Sequence, residues 1–223
     1  LSKIYNPVSS SNKELVSRLR SASSVVAVST VFGALAYLIE LTGVSHFLPF
    51  PPLNYLLYDP AEIVIYLLYL AVGLKPALLS TVLVVLGLSI NIDGFSVLIM
   101  SCTGIPFFGP IMKGLAILST LAGLALIEKK RWKLSVCSAI VLRVILMSFP
   151  NLAFISLIVP KLPFPQTTIE WFTSNVAYIL TLTGVYNASQ ALIALLSAQL
   201  IYGRLLPVLR RKLISIRKSK LKE

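Results

Sequence analysis

Apolar residues gather along this chain in long, nearly unbroken stretches. At about 23–43, 105–127, 134–160 and 171–203 they run for the ~20 residues that a helix needs to cross a hydrocarbon core of about 30 Å. Each is read as a membrane-spanning helix. The stretch from Ala61 to Ile92 is longer than one crossing requires and is interrupted by Gly73 and then by Lys75-Pro76. Such residues mark a tight turn, so the stretch reads as short second and third helices joined at Lys75-Pro76. Six spans result. The segments at about 44–60, 93–104 and 161–170 are left as loops, and they hold Pro49, Pro51, Pro52, Pro60, Pro163 and Pro165, which stiffen them.

Charge decides between one crossing and two over 61–92. A single crossing would put Lys129, Lys130, Arg131 and Lys133 on the opposite side from Lys3, Lys13, Arg18 and Arg20, against the positive-inside bias. With two crossings the N-terminus, Lys75, the Lys129–Lys133 cluster and the tail from Arg204 to Lys222 share one face, read as cytoplasmic. Lys161 is then the only basic residue in an outer loop. The expected fold is an all-α integral membrane protein with both termini in the cytoplasm, multi-pass in the cell membrane. It divides into a basic segment (1–22), a six-helix membrane domain (23–203) and a basic tail (204–223).

Composition agrees. With 57% hydrophobic and 13% charged residues, the apolar area exceeds what a soluble domain of this length buries. The net charge of +12 does not point to nucleic acid, because the basic residues sit in short clusters between spans; the tail reads as an anchor to anionic lipid. Cys102 and Cys137 fall near opposite ends of the expected spans, too far apart for a disulfide. The first twenty residues lack the apolar stretch of a cleavable signal peptide, so the first span is expected to direct insertion.

Polar groups inside lipid are costly unless paired or facing a cavity, which singles out Lys113, Arg143, Asn151, Asn187 and Gln190. Arg143 and Asn151 are eight residues apart and fall on a similar face of the fifth span. Asn187 and Gln190 share a face of the sixth, with Tyr186 beside them and Tyr178 and Trp171 further along. Two polar faces with nearby aromatics predict a pocket between these helices. The alternative is interhelical glue, which amides commonly supply. For Arg143 a bond to backbone carbonyls competes with ligand contact. Lys113 is expected to snorkel or to pair with Glu40 or Asp93. The pairs Ser29/Gly33 and Thr30/Ala34 permit close helix approach, with packing inside the chain as the default.

Several chemistries are missing from the sequence. No Gly-rich turn ends in Gly-Lys-Ser/Thr, so the chain carries no phosphate-cradling loop. His46 is the single histidine and sits in a loop, so neither a metal nor a cofactor is expected. An intramembrane carboxylate pair is not evident either, since Asp59, Glu62 and Asp93 lie at span ends or in loops. The chain is not expected to be an enzyme.

The polar residues also follow a known pattern. The chain resembles the substrate-binding S components of energy-coupling-factor vitamin transporters over about residues 25–212, most closely the riboflavin-specific ones. Arg143-Val-Ile-Leu-Met147-Ser-Phe-Pro-Asn151 follows the family's Arg-x-x-x-Met-x-x-x-Asn. Tyr186-Asn187-Ala-Ser-Gln190 and Tyr202-Gly-Arg-Leu-Leu-Pro207 are similar to its Phe-Asn-x-x-Lys-Gly and Tyr-Lys-Arg-Leu-x-Pro runs. Pro51-Pro52-Leu-Asn-Tyr-Leu-Leu-Tyr-Asp59-Pro60-Ala-Glu62 resembles its first outer loop. The resemblance implies a substrate-binding domain that captures a vitamin, riboflavin foremost, from outside. Uptake would then proceed through a separate transmembrane coupling subunit and two ATPases.

Carried over residue by residue, Asn151 and Asn187 would hydrogen-bond the ligand, with Gln190, Tyr186, Lys113 and Tyr58 around it. The loop with Pro52, Leu53, Leu57 and Asp59 would form a lid. Ser29, Gly33, Thr30 and Ala34 would dock on the coupling subunit. The chain departs from the family where Gln190 replaces a Lys, Leu57 replaces the loop Lys, and Lys113 stands near a fourth-span position where the family has Asn. The alternatives are an S component for thiamine, biotin or a purine-like precursor, and a membrane protein without a transport role whose polar faces only hold helices together.

Overall fold

A computed structural model describes residues 22–51, 53–91, 94–127 and 131–220. Helix α1 (Ala22–Leu41) is followed by a single 3-10 turn (Val44–Phe47) and a small antiparallel hairpin. The hairpin consists of β1 (Pro49–Phe50) and β2 (Leu53–Leu57), in which Pro49 faces Leu57 and Phe50 faces Leu53 across a register shift. Helices α2 (Ala61–Ala71), α3 (Leu74–Ile90) and α4 (Gly94–Thr103) come next. Then follow α5 (Phe108–Leu126) and α6 (Trp132–Ala153), the latter continuing through a π turn (Phe154–Ile158) and a 3-10 turn (Val159–Lys161). Helix α7 (Gln166–Ser174) and the long α8 (Val176–Lys220) end the chain.

Among the described residues, four helical segments are long and apolar enough to cross a membrane: Ser23–Leu41, Phe108–Leu126, Trp132–Lys161 and Val176–Leu205. Helices α3 and α4 qualify only as a bent pair, which makes a fifth. The exposed surface is also apolar, with Leu38, Ile90, Leu126, Phe149, Leu157 and Leu200 all turned outward. A patch of that extent has no place in water, and lipid is its solvent. The chain is an all-α membrane protein.

The joint between the second and third helices lies earlier than expected. It falls at Val72–Gly73, with Gly73 at φ 134° and ψ −169°, a conformation open essentially to glycine. Lys75 and Pro76 lie in the first turn of α3, where a missing backbone N–H costs nothing. The segments read as loops at 93–104 and 161–170 are also corrected, since they carry α4 and the start of α7. These helices of 10 and 9 residues are too short to register as spans.

Six helices close into a ring in which each packs on its neighbours in the order α1, α3, α5, α6, α8, α2 and back to α1. At about 1.5 Å per residue, the 11 residues of α2 cover only about half of a bilayer core. It is a helix apolar nearly all round, as expected of a buried element. Ala61, Glu62, Val64, Ile65, Tyr66, Leu68 and Tyr69 are all buried. Small residues let the ring close. A Cβ on Gly123 would lie 2.4 Å from Ala139 Cα, so α5 and α6 touch backbone to backbone there.

Candidate functional site

Two apolar cores occupy the bundle. One surrounds α2 and includes Ile65, Tyr66, Ile117, Leu121, Leu124, Ala139 and Leu195. The other lies under the hairpin and includes Phe50, Leu53, Ile99, Phe154, Ile158 and Ile179. Along α6 the residues from Arg143 to Asn151 separate the two, and along α8 those from Thr183 to Gln190 do the same. A buried polar belt therefore lies between them, built from the helix faces that the sequence singled out.

The deepest member of the belt is Arg143, 2% exposed. Its Nη1 and Nη2 donate to Glu62 Oε2 and Oε1 at 2.6 and 2.9 Å, and its Nε donates to Asn187 Oδ1 at 3.1 Å. Nη1 also reaches the Tyr66 hydroxyl at 3.2 Å, and that hydroxyl donates to Glu62 Oε2 at 2.8 Å. The partner of Arg143 is thus a carboxylate in the first turn of α2 rather than backbone carbonyls. This planar, two-point pairing is the geometry that suits a buried guanidinium. Glu62 stands at a helix start, as expected, but is buried there.

Closer to the hairpin, α8 holds the end of β2. Gln190 grips one residue twice: its Nε2 donates to the Asp59 carbonyl at 2.9 Å and its Oε1 accepts from the Asp59 N–H at 3.2 Å. The Tyr186 hydroxyl donates to the Leu57 carbonyl at 2.6 Å, and the Tyr58 hydroxyl pairs with Ser189 Oγ at 2.9 Å. Phe50, Tyr58 and Tyr186 form a triangle of rings with centroids 5.6–6.3 Å apart. Phe154 continues the aromatic wall, stacked on Phe108 at 5.5 Å and near Tyr55 and Phe95.

Asp59 also carries charge into this region. Its Oδ1 accepts from the Ala61 N–H at 2.8 Å, fastening the start of α2, and its Oδ2 faces Lys113 Nζ at 2.6 Å. Lys113 pairs with Glu40 as well. Lys113 therefore bridges two carboxylates, of which the sequence had suggested one, Glu40; Asp93, the other suggestion, lies outside the described residues. Burial pushes the Asp59 carboxyl up to about 6, opposed by the neighbouring Lys113 charge and assisted by Glu40.

The sequence-derived candidates divide as follows. Asn187, Gln190, Tyr186 and Tyr58 meet at the belt and the hairpin base, whereas Lys113 stands in the adjacent ion cluster. Asn151 is buried on the same face of α6 as Arg143 and Met147, and its Nδ2 donates to the Met147 carbonyl at 2.7 Å. Its Oδ1 accepts no hydrogen bond among the described residues. Leu53 turns into the lower hairpin core, and Leu57 and Asp59 are held by α8; Pro52 lies outside the described residues. Ser29 and Gly33 are buried against α3, where Ser80 donates to the Ser29 carbonyl at 2.8 Å. Thr30 and Ala34 face outward along a shallow groove of about 190 Å³ shared with Tyr37 and Leu83.

The expected pocket between the fifth and sixth spans is closed, because Arg143 and Asn187 bond directly across it. Sequence reasoning missed Glu62, Tyr66 and Thr120 as partners of Arg143. The requirement that a buried guanidinium find a carboxylate was the available signal. No protein-family model matches the chain, and no curated protein is detectably similar to it.

Proposed function

We propose that this chain is a substrate-capturing membrane subunit that takes a small, flat, polar-edged solute, riboflavin foremost, beneath its hairpin. The observation that carries the reading is the stacking of three layers: an aromatic cap, a buried polar belt, and a closed ring of helices. Aromatic rings and convergent amides are the lining of a small-molecule site. In this reading the hairpin lies outside the cell membrane and both termini inside, with six crossings. Uptake is driven by a separate coupling subunit and two ATPases, and the chain itself catalyses no reaction.

The lid is the hairpin. Opening it breaks the bonds from Tyr186, Ser189 and Gln190 to Leu57–Asp59, and a polar ligand replaces them with bonds of its own. Exchange of one hydrogen bond for another has a small net cost. Asn151 Oδ1 receives a ligand donor, Gln190 reads a neutral polar chain, and Tyr58 and Tyr186 stack on the ring.

A second reading has support in one observation: Asn187 and Gln190 are already engaged within the chain, as interhelical glue would be. Titration of purified protein into riboflavin, followed by flavin fluorescence, separates the two. Saturable quenching that Asn151→Leu weakens at least tenfold is expected for capture. Absence of quenching removes riboflavin as the ligand, and quenching unaltered by Asn151→Leu removes that residue from the site.

A further inference from the structure

Glu40, Lys113 and Asp59 come from α1, α5 and the three residues that link the hairpin to α2. Their side chains are 16, 14 and 11% exposed. Two carboxylates and one ammonium leave the cluster one negative charge in excess, in a place where an unbalanced charge is expensive. The imbalance sits at a mechanical joint, because Asp59 is also the residue that Gln190 grips and that fastens the α2 start. Among the described residues, the other charge near it is that of Glu62, which Arg143 neutralises. The remaining titratable groups are phenols, Tyr58 on the same loop and Tyr186 on α8, both hydrogen-bonded.

We propose that Glu40, Lys113 and Asp59 form a protonation-sensitive latch at the root of the hairpin, closed by a proton taken from water onto Asp59 and loosened when that proton leaves. With the proton bound, Lys113 balances Glu40, and the cluster is neutral. Without it, the excess charge favours a conformation in which Asp59 reaches water and the hairpin root lets go of α8. The sign follows from burial, which raises the Asp59 carboxyl from its ordinary 3.8 to about 6 in the docked form. The docked form binds the proton more tightly and gains population as pH falls towards 4. That gain is lost as pH rises through about 6. Between pH ~5 and ~8 the docked-to-undocked ratio falls about tenfold. The device operates whichever solute the bundle takes.

Thiol accessibility tests it on the whole chain in detergent, with Cys102 and Cys137 replaced by Ala. Leu53→Cys places a reporter under the hairpin, where Leu53 is 4% exposed. Asn54→Cys, at an exposed neighbour, corrects for the intrinsic pH dependence of the thiol. The ratio of the two modification rates is expected to rise about tenfold from pH ~5 to ~8. In Asp59→Asn it is expected to stay low and flat. Should that variant not elute as a folded species, Glu40→Gln serves, since it removes the excess charge and moves the transition below this pH range. A flat ratio in the parent, or an unshifted profile in either variant, overturns the latch.

Discussion

Removing the carboxylate of Glu62 tests the polar belt most severely. In Glu62→Leu the Arg143 guanidinium, 2% exposed, loses both of its ionic bonds, at 2.6 and 2.9 Å. Asn187, Tyr66 and Thr120 remain as neutral partners. An uncompensated buried charge of this kind costs about 3–5 kcal/mol. Arg143→Met strands the Glu62 carboxylate with the Tyr66 hydroxyl and should cost a similar amount. The double variant replaces both charges with apolar groups and should recover to within roughly 1–2 kcal/mol of the parent. The coupling energy of the cycle is therefore expected to be about 4 kcal/mol or more. Reversible unfolding of the purified protein in mixed micelles, followed by tryptophan fluorescence, gives the four free energies. A Glu62→Leu cost below about 1 kcal/mol, or strictly additive single variants, would refute the reasoning.

Three further outcomes follow from the packing and the charges. Gly123→Ala puts a methyl group 2.4 Å from Ala139 Cα and should destabilise by about 1–3 kcal/mol in the same unfolding assay. Gln190→Leu removes both bonds to Asp59 and should raise the protease sensitivity of the hairpin without breaking the α6–α8 contact. Lys113→Met leaves Glu40 and Asp59 facing each other with no cation between them. Its stability deficit should be larger at pH ~8 than at pH ~5, because the Asp59 carboxyl, already raised to about 6 by burial, binds a proton as pH falls. An unfolding midpoint equally lowered at both pH values would contradict that.

The all-α, membrane-spanning character was legible because long apolar stretches are local, additive signals. The buried polar faces of α6 and α8 were legible for a similar reason, since polar side chains are conspicuous in an apolar run. The partners of those faces were harder to read. Glu62 sits 81 residues before Arg143, and in the sequence it resembles any carboxylate near a span end. The Glu40–Lys113–Asp59 cluster joins three elements that only the closed ring brings together. Nor does periodicity reveal whether a helix is central. Helix α2 is half a span long, yet it is buried in the core because α1, α3, α5 and α8 all pack on it.

The most direct measurement of small-molecule capture is the thermal stability of the detergent-purified chain in the presence of candidate solutes. A ligand that binds only the folded state raises the unfolding midpoint by an amount that grows with the logarithm of its concentration above Kd. Riboflavin is expected to raise it from the micromolar range upward, with thiamine, biotin and a purine as comparisons, and Asn151→Leu should abolish the rise. No shift with any of the four at about 100 times that concentration would contradict capture of a vitamin under the hairpin and leave the belt as helix glue.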